Sequence, residues 1–200
     1  MSLVKCSLEQ IIIDFEASLL AHKRLLEDNK LHKQLEELAN SCLATLKSGG
    51  KIFFAGNGGS FADSQHLAAE FVSRLQFDRE ALAAIALGTN SSNMSAIGND
   101  YGYDKVFSRE IAALGRAEDI FIPISTSGNS RNIIAAVEVA KKMNLKVVGF
   151  SGKDGGKLAK LCSCIIMPAQ RTERIQEGHI LCGHILCASV ETAYFKPSNS

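Results

Sequence analysis

Two side chains suited to proton transfer or metal binding, His66 and Glu70, stand four residues apart in a helical pattern. Because this spacing puts both on one face of a helix, the pair could share a metal ion or supply a base beside a polarising group. Arg74 lies four residues further along that face, where it could contact an anionic or polyhydroxy substrate. Taken alone, the spacing is more typical of a solvated surface pair, so the interpretation depends on other segments.

The last helical pattern of the chain places further polar groups in apolar surroundings. Gln176, His179 and His184 lie among isoleucine, leucine and cysteine residues. Burying such groups costs free energy unless they have partners. Two interpretations stay open here: groups that act on a ligand, or histidines whose hydrogen bonds are satisfied within the core.

A glycine-rich segment, Gly56-Asn57-Gly58-Gly59-Ser60, follows one strand-like run directly and opens a helix. Glycines let the backbone approach a ligand closely, and the start of a helix presents unpaired N–H groups to an anion. The segment has neither the P-loop pattern nor the dinucleotide-binding pattern. It is therefore interpreted as a binding loop, with a simple tight turn as the alternative.

A second loop, at 125–130, also lies between a strand-like run and a helix. Its four hydroxyl residues are Ser125, Thr126, Ser127 and Ser130. One serine would suffice to cap the helix, whereas four hydroxyls together with main-chain N–H groups can surround a phosphate. Phosphate binding is the favoured interpretation, and a cluster of helix-capping residues is the alternative.

The elements that must position these residues are short strands alternating with helices. The strand-like runs are 51–55, 82–87, 119–124, 146–150 and 164–167, and the helical patterns between them are 62–76, 103–113, 129–143 and 155–161. Alternation of this kind predicts a doubly wound α/β domain whose parallel sheet of about five strands is covered on both faces. N-terminal helices over 7–48, with a break near Asn29, and a C-terminal helix over 172–195 flank the α/β core, 51–168, in one domain, 1–200.

Composition narrows the possible partners. The formal net charge is +1, which gives no electrostatic reason to expect a nucleic acid or an anionic membrane. No apolar run approaches the ~20 residues of a membrane span, and Glu9 and Asp14 interrupt the first apolar stretch as they would not in a secretory signal. We therefore expect a cytoplasmic protein with reduced thiols.

The last helix is more apolar around its circumference than a surface helix, which favours contact with another subunit over burial in its own core.

Taken together, the segments resemble the phosphoheptose isomerases, members of the sugar-isomerase (SIS) domain group. The resemblance covers about the whole chain and is carried by GNGGS (56–60), DSQHLAAEF (63–71), AIGNDYGYDKVFSR (96–109), ISTSGNSRNI (124–133), SGKDGG (151–156) and RIQEGHI (174–180) with His184. The hydroxyl-rich loop is shared widely among SIS proteins, whereas the QH…AAE and RIQE…H segments together are specific to the heptose branch. The resemblance implies the SIS fold, with a flavodoxin-like sheet.

The resemblance also implies an activity: conversion of sedoheptulose 7-phosphate to D-glycero-D-manno-heptose 7-phosphate by enediol proton transfer, the first step of nucleotide-activated heptose biosynthesis. By position, Glu70 corresponds to the catalytic base and His184 to its acid/base partner. The positions that match substrate-binding residues are Asn57, Gly58, Gly59, Ser60, Arg74, Asn99, Asp100, Ser125, Thr126, Ser127, Ser130 and Gln176. Asn99 and Asp100 have functional weight only through this resemblance, because by themselves they suggest a turn.

A zinc site and a subunit arrangement are implied in the same way. His66, Glu70, Gln176 and His184 match a zinc site of the family, which forms homotetramers with active sites between subunits.

Rival interpretations are a non-catalytic SIS protein that binds a sugar phosphate or a protein partner, an isomerase for another sugar phosphate, and a purely structural assembly protein. Phe61, Glu173 and the segment 87–90 depart from the family pattern and bear on substrate preference.

Overall fold

A five-stranded parallel sheet forms the centre of the structure, a computed structural model that describes residues 6–196. The strands are β1 (Ile52–Ala55), β2 (Ala84–Ala86), β3 (Ile120–Ser125), β4 (Lys146–Gly152) and β5 (Ser163–Met167). Their order is β2-β1-β3-β4-β5, and all neighbouring pairs are parallel. This is the flavodoxin-like order, so the predicted doubly wound fold is confirmed.

Helices cover both faces of the sheet. They are α1 (Leu8–Glu27), α2 (Asn29–Lys47), α3 (Gly59–Val72), α4 (Ser91–Tyr101), α5 (Val106–Leu114), α6 (Arg131–Lys142), α7 (Leu158–Leu161) and α8 (Thr172–Phe195), with a 3₁₀ turn at Tyr103–Lys105. One core packs α1, α2, α3 and α8 against the sheet, and a second packs α5, α6 and α7 against its other face. Every residue of β1 and β3 is buried, which explains why these strands are apolar, apart from Ser125 at the end of β3, instead of alternating.

Several element boundaries differ from those predicted. The N-terminal helices divide at Asp28, whose carboxylate accepts the N–H of Leu31 at 2.9 Å and so caps α2. The helix expected over 62–76 begins at Gly59 and ends at Val72. It ends early because the guanidinium of Arg79 bonds the carbonyls of Glu70 and Phe71, which a longer helix would use internally.

Helix α8 owes its apolar character to burial within this chain. Ile175 and Leu186 are fully buried, and the helix packs on α1, α2 and α3. The prediction that its apolar sides face another subunit is therefore wrong for most of the helix. Exposed apolar side chains lie on α1 instead, where Phe15 and Leu19 are among the largest. Across residues 6–196, no helix has the length and apolar character needed to cross a bilayer.

Candidate active site

The two predicted binding loops lie side by side at the carboxyl edge of the sheet. β1 and β3 are hydrogen-bonded neighbours, and the loops 56–60 and 125–130 continue from their carboxyl ends. From β1 the chain moves to β2 on one side, whereas β3, β4 and β5 extend the sheet on the other. The loops therefore flank the topological switch point, where open α/β sheets bind ligands.

A pair of side-chain amides joins these loops. Asn57 and Asn132 each donate an N–H to the other's amide oxygen at 2.9 Å, and Tyr103 donates its hydroxyl to the Asn57 oxygen at 3.0 Å. Asn132 is buried in the first turn of α6. Both Asn132 and Tyr103 lie within the quoted motifs but were not predicted as site residues. Their contribution is to hold Asn57, and with it the glycine loop, against the hydroxyl loop.

The hydroxyl loop is shaped by its own serines. The hydroxyls of Ser125 and Ser130 are 3.1 Å apart, and Ser151 on β4 donates its hydroxyl to the Ser125 carbonyl at 3.0 Å. Ser130 occupies the N-cap position of α6, yet within the described chain its side chain makes no capping hydrogen bond. This weakens the helix-capping alternative for Ser130. Thr126 and Ser127 are half-buried in the same loop.

Helices α3 and α8 bring together three of the four residues predicted to bind zinc. The Nε2 atoms of His66 and His184 are 2.8 Å apart, and His66 Nε2 lies 3.3 Å from Glu70 Oε1. Ligand atoms from all three residues lie within 4.8 Å of one another. The His66 side chain is 50% exposed and the Glu70 side chain 15%, so the cluster opens to solvent on the His66 side.

Close approach of α3 and α8 depends on glycine at two positions. A Cβ at Gly183 would lie 2.5 Å from a methyl of Leu67, and one at Gly59 would lie 2.4 Å from the side-chain oxygen of Gln176. Gly183 precedes His184, so its small size lets α8 present that histidine to α3. The contact between Gln176 and Gly59 also joins α8 to the glycine loop, placing the three-residue cluster and the binding loops in one site.

Gln176 leads to a residue that sequence reasoning missed. Its amide donates to Asp63 Oδ1 at 3.1 Å, while Asp63 Oδ2 is buried without a hydrogen-bond partner among the described residues. Burial raises the pKa of Asp63, an effect opposed by the Gln176 hydrogen bond and by the nearby His66 and His184. Asp63 precedes His66 by three residues and Glu70 by seven. This spacing, which puts all three on one helix face, is the signal that could have identified it.

Other predicted substrate-binding residues lie outside this cluster. Arg74 does not extend the helix face of Glu70, because α3 ends at Val72; it is exposed, with its guanidinium 4.0 Å from Asp78. Asn99 and Asp100 are exposed at the end of α4, where the Asn99 amide donates to the Asp100 carboxylate at 2.8 Å. Within residues 6–196 no hydrogen bond joins them to either loop. Ser60 is buried in the first turn of α3.

The residues that depart from the family pattern make contacts with other parts of the chain. The Phe61 ring lies 3.1 Å from the Cβ position of Gly88, so it packs beside the segment that follows β2. Asn90 caps α4 by accepting the N–H groups of Ser92 and Asn93. Glu173 is exposed and pairs with Arg171.

The donor set of the cluster suits a metal ion. Two imidazole nitrogens and a carboxylate oxygen are the ligand types found in catalytic zinc sites that keep a position open. The 2.8 Å separation of the two Nε2 atoms requires a shared proton or a shared cation, because two bare lone pairs would repel each other. His66, Glu70 and His184 therefore fit a metal, and the same side chains can also accept or donate protons directly.

Fold and site together are those of an SIS domain, and the SIS domain family matches residues 16–152. A phosphoheptose isomerase of Aneurinibacillus thermoaerophilus is 50% identical over 182 residues, 90% of this chain and 92% of the relative. The solved structure of a phosphoheptose isomerase from Neisseria gonorrhoeae superposes with a TM-score of 0.86 at 41% identity, covering 92% of this chain and 98% of that one. One from Francisella tularensis gives 0.89 at 33% identity, covering 94% and 100%.

The chain belongs to the phosphoheptose isomerases of the SIS domain family. The resemblance inferred from the motifs is thereby confirmed.

Proposed function

We propose that the protein isomerises sedoheptulose 7-phosphate to D-glycero-D-manno-heptose 7-phosphate, and that residues 1–200 form a single SIS domain. The observation that carries the proposal is the meeting of Glu70, His66 and His184 between α3 and α8, joined to the binding loops through Gln176 and Gly59. An aldose–ketose isomerase needs both parts. It must hold a phosphate at one place and move a proton between adjacent carbons at another.

Glu70 is the proposed base. Converting a 2-ketose to an aldose requires loss of a proton from C1 and return of a proton to C2. The C2 carbonyl oxygen also gains a proton as the C1 hydroxyl oxygen loses one. A single carboxylate on one face of the enediol can both remove the proton from C1 and return a proton to C2. His184 is the proposed acid/base partner that exchanges protons with the two sugar oxygens.

The strand-end loops are the proposed phosphate and sugar sites. Ser125, Thr126, Ser127 and Ser130 provide hydroxyl donors, and Gly58 and Gly59 provide main-chain N–H groups at the start of α3. Asn57, Ser60, Asn99, Asp100 and Arg74 complete the proposed substrate-binding set. Arg74, Asn99 and Asp100 are exposed, so we assign them to the entrance of the site or to contacts with a neighbouring subunit.

Zinc is the proposed metal, one per subunit, with His66, Glu70 and His184 as ligands and the amide oxygen of Gln176 as a fourth. When bound, it would polarise the substrate carbonyl as a Lewis acid. Gln176 donates its amide N–H to Asp63, which orients its oxygen and nitrogen relative to the cluster. A hydrogen bond from a metal ligand to another residue, such as this one to Asp63, fixes the orientation of the ligand.

We further propose a cytoplasmic homotetramer with active sites between subunits. Support comes from the apolar side chains exposed along α1 and from an open groove of about 440 Å³ between the N-terminal helices and α8. Leu26, Leu35 and Ile185 are among its lining residues. Apolar surface of this kind typically marks a contact with another protein chain.

The test is turnover of sedoheptulose 7-phosphate by the purified protein, followed by NMR detection of the aldose. Glu70→Gln is the matched control, because it keeps the shape of the side chain and removes its basicity. Turnover that is lost in Glu70→Gln supports both the isomerase and its base. Saturable binding of the sugar phosphate without turnover by the wild type would instead favour a non-catalytic SIS binding protein.

A further inference from the structure

A buried ion pair lies behind the candidate active site. The side chains of Arg79 and Glu191 are 2% and 1% exposed, and Arg79 Nε donates to Glu191 Oε1 at 2.9 Å. Glu191 also accepts the backbone N–H groups of Leu75 and Gln76, at 3.0 and 2.8 Å. A buried pair of this kind is tolerated only when its remaining hydrogen-bonding capacity is satisfied, as it is here.

Arg79 uses its other nitrogens on the last turn of α3. Nη2 donates to the carbonyl of Glu70 at 2.7 Å, and Nη1 donates to the carbonyls of Phe71 and Glu80 at 2.7 and 2.9 Å. The guanidinium thus bonds the main chain of the very residue whose side chain is the proposed base. Its planar, rigid arrangement of donors holds these groups in fixed relative positions, which a lysine ammonium cannot do.

Glu191 lies seven residues after His184 on α8, about two helical turns, and therefore on the same face of that helix. The pair consequently joins the end of α3 at Glu70 to the face of α8 that bears His184. The cluster itself spans the same two helices, with His66 and Glu70 on one and His184 on the other.

We propose that Arg79 and Glu191 are positioning residues, which set the distance and angle between Glu70 on α3 and His184 on α8. The inference rests on the proposed roles of Glu70 and His184. It goes beyond them, because neither Arg79 nor Glu191 lies among the residues of the cluster. A displacement of about 1 Å in a reacting group can reduce turnover by about a hundredfold, so loss of the pair should affect the chemical step more than substrate binding.

The test compares Glu191→Gln and Arg79→Lys with Asp119→Asn, a matched control elsewhere in the fold. Asp119 is also 1% exposed and also accepts two backbone N–H groups, from Lys51 and Arg116, together with one cation, the Lys51 ammonium at 2.7 Å. It lies before β3, at the end of the sheet opposite the binding loops. All variants are assayed well below their melting temperatures, with circular dichroism to establish folding.

We expect Glu191→Gln and Arg79→Lys to lower kcat by about tenfold or more, with KM changed by less than about threefold. Asp119→Asn should lower the melting temperature comparably and leave kcat within about twofold of the wild type. If Glu191→Gln does not fold, Arg79→Lys, which retains the positive charge, carries the test. Equal kcat values for the Arg79 and Asp119 variants, whether both unchanged or both reduced, would overturn the proposal.

Zinc affinity, measured by calorimetric titration of each protein with the metal alone, gives a readout independent of turnover. The proposed ligands span α3 and α8, so Glu191→Gln should weaken zinc binding by about tenfold, and Asp119→Asn should not. A wild type without turnover whose zinc affinity depends on Glu191 would refute the proposed function and leave the positioning role standing. Full turnover in the wild type with unchanged kcat and zinc affinity in Glu191→Gln would refute the positioning role alone.

Discussion

The binding loops and the α3–α8 cluster differ in how far their polar groups are satisfied. In the loops, Asn57 is paired with Asn132, and Ser125 with Ser130. Between the helices, the two imidazole Nε2 atoms of His66 and His184 face each other at 2.8 Å, and Asp63 Oδ2 is buried without a partner in the described part of the chain.

This difference matches the proposed division between binding at the loops and chemistry at the cluster. The loops are held in shape by their own hydrogen bonds, so little conformational freedom would be lost on binding the proposed phosphate. The cluster instead brings two imidazole nitrogens into direct contact beside a carboxylate oxygen of Asp63 that has no partner among the described residues, as expected where a proton or a cation must be accommodated. The variants below test this division, beginning with the largest expected effect.

Replacing His184 with Gln should lower kcat by about 10²–10⁴-fold, the contribution typical of a positioned acid or base. Binding of the sugar phosphate should change little, because the loops remain intact. The matched control is His179→Gln, the same substitution five residues earlier on α8 at a buried histidine whose Nε2 lies 3.0 Å from the Ser151 carbonyl. Comparable losses of kcat in both variants would remove the distinction between cluster and core.

His179 links the two regions and should make the fold sensitive to acid. Burial lowers its pKa from 6.5 to about 4, partly offset by its hydrogen bond to Ser151, whose hydroxyl in turn bonds the Ser125 carbonyl. Between pH 6.5 and about pH 4, His179 is protonated in the unfolded chain but not in the folded chain. The neutral, buried His179 therefore contributes fully to the free energy of unfolding above pH 6.5. This contribution, about 3 kcal/mol, should be lost as the pH falls towards 4.

Urea unfolding at pH 7 and pH 4.5 measures this effect against His179→Gln, which keeps a donor for Ser151 and cannot gain a proton. The wild type should lose more stability than the variant over this interval. Equal losses would show that other groups account for the acid sensitivity.

Replacing Gly183 with Ala should destabilise the fold by about 1–3 kcal/mol, because the new methyl would overlap Leu67 where α3 and α8 meet. The displacement of α8 from α3 that relieves this overlap should also separate His184 from His66 and reduce turnover. Gly98→Ala in α4 is the control. Apart from its two chain neighbours and the nearby backbone of its own helix, no described atom lies within 4 Å of its Cβ position, so the substitution should stabilise the helix slightly. A Gly183→Ala variant as stable as Gly98→Ala would contradict the packing argument.

The smallest expected effect belongs to the loops. Ser130→Ala should raise KM by an amount equivalent to about 1.5 kcal/mol, the lower end for one hydrogen bond to a charged group, and leave kcat nearly unchanged. Its melting temperature should fall only slightly, since the Ser130 side chain bonds the Ser125 hydroxyl but does not cap α6. A large fall in the melting temperature with an unchanged KM would restore the helix-capping interpretation.

Much of this architecture follows from local sequence pattern. Apolar runs such as 120–124 predict buried parallel strands because only strands covered on both faces are apolar throughout. The glycine and hydroxyl loops follow those strands directly, so their location at the carboxyl edge of the sheet follows from the alternation of elements. The four-residue spacing of His66 and Glu70 likewise determines that they share a helix face.

Only the tertiary structure decided which helices meet. His66 and His184 are 118 residues apart, and their contact depends on packing of Leu67 against Gly183, which no periodicity specifies. The same is true of the early end of α3, which separates Arg74 from Glu70 because the Arg79 guanidinium takes the carbonyls of the last turn. Sequence spacing determines the direction of side chains within one element, whereas contacts between elements depend on side-chain volumes and hydrogen bonds that form only when the chain has folded.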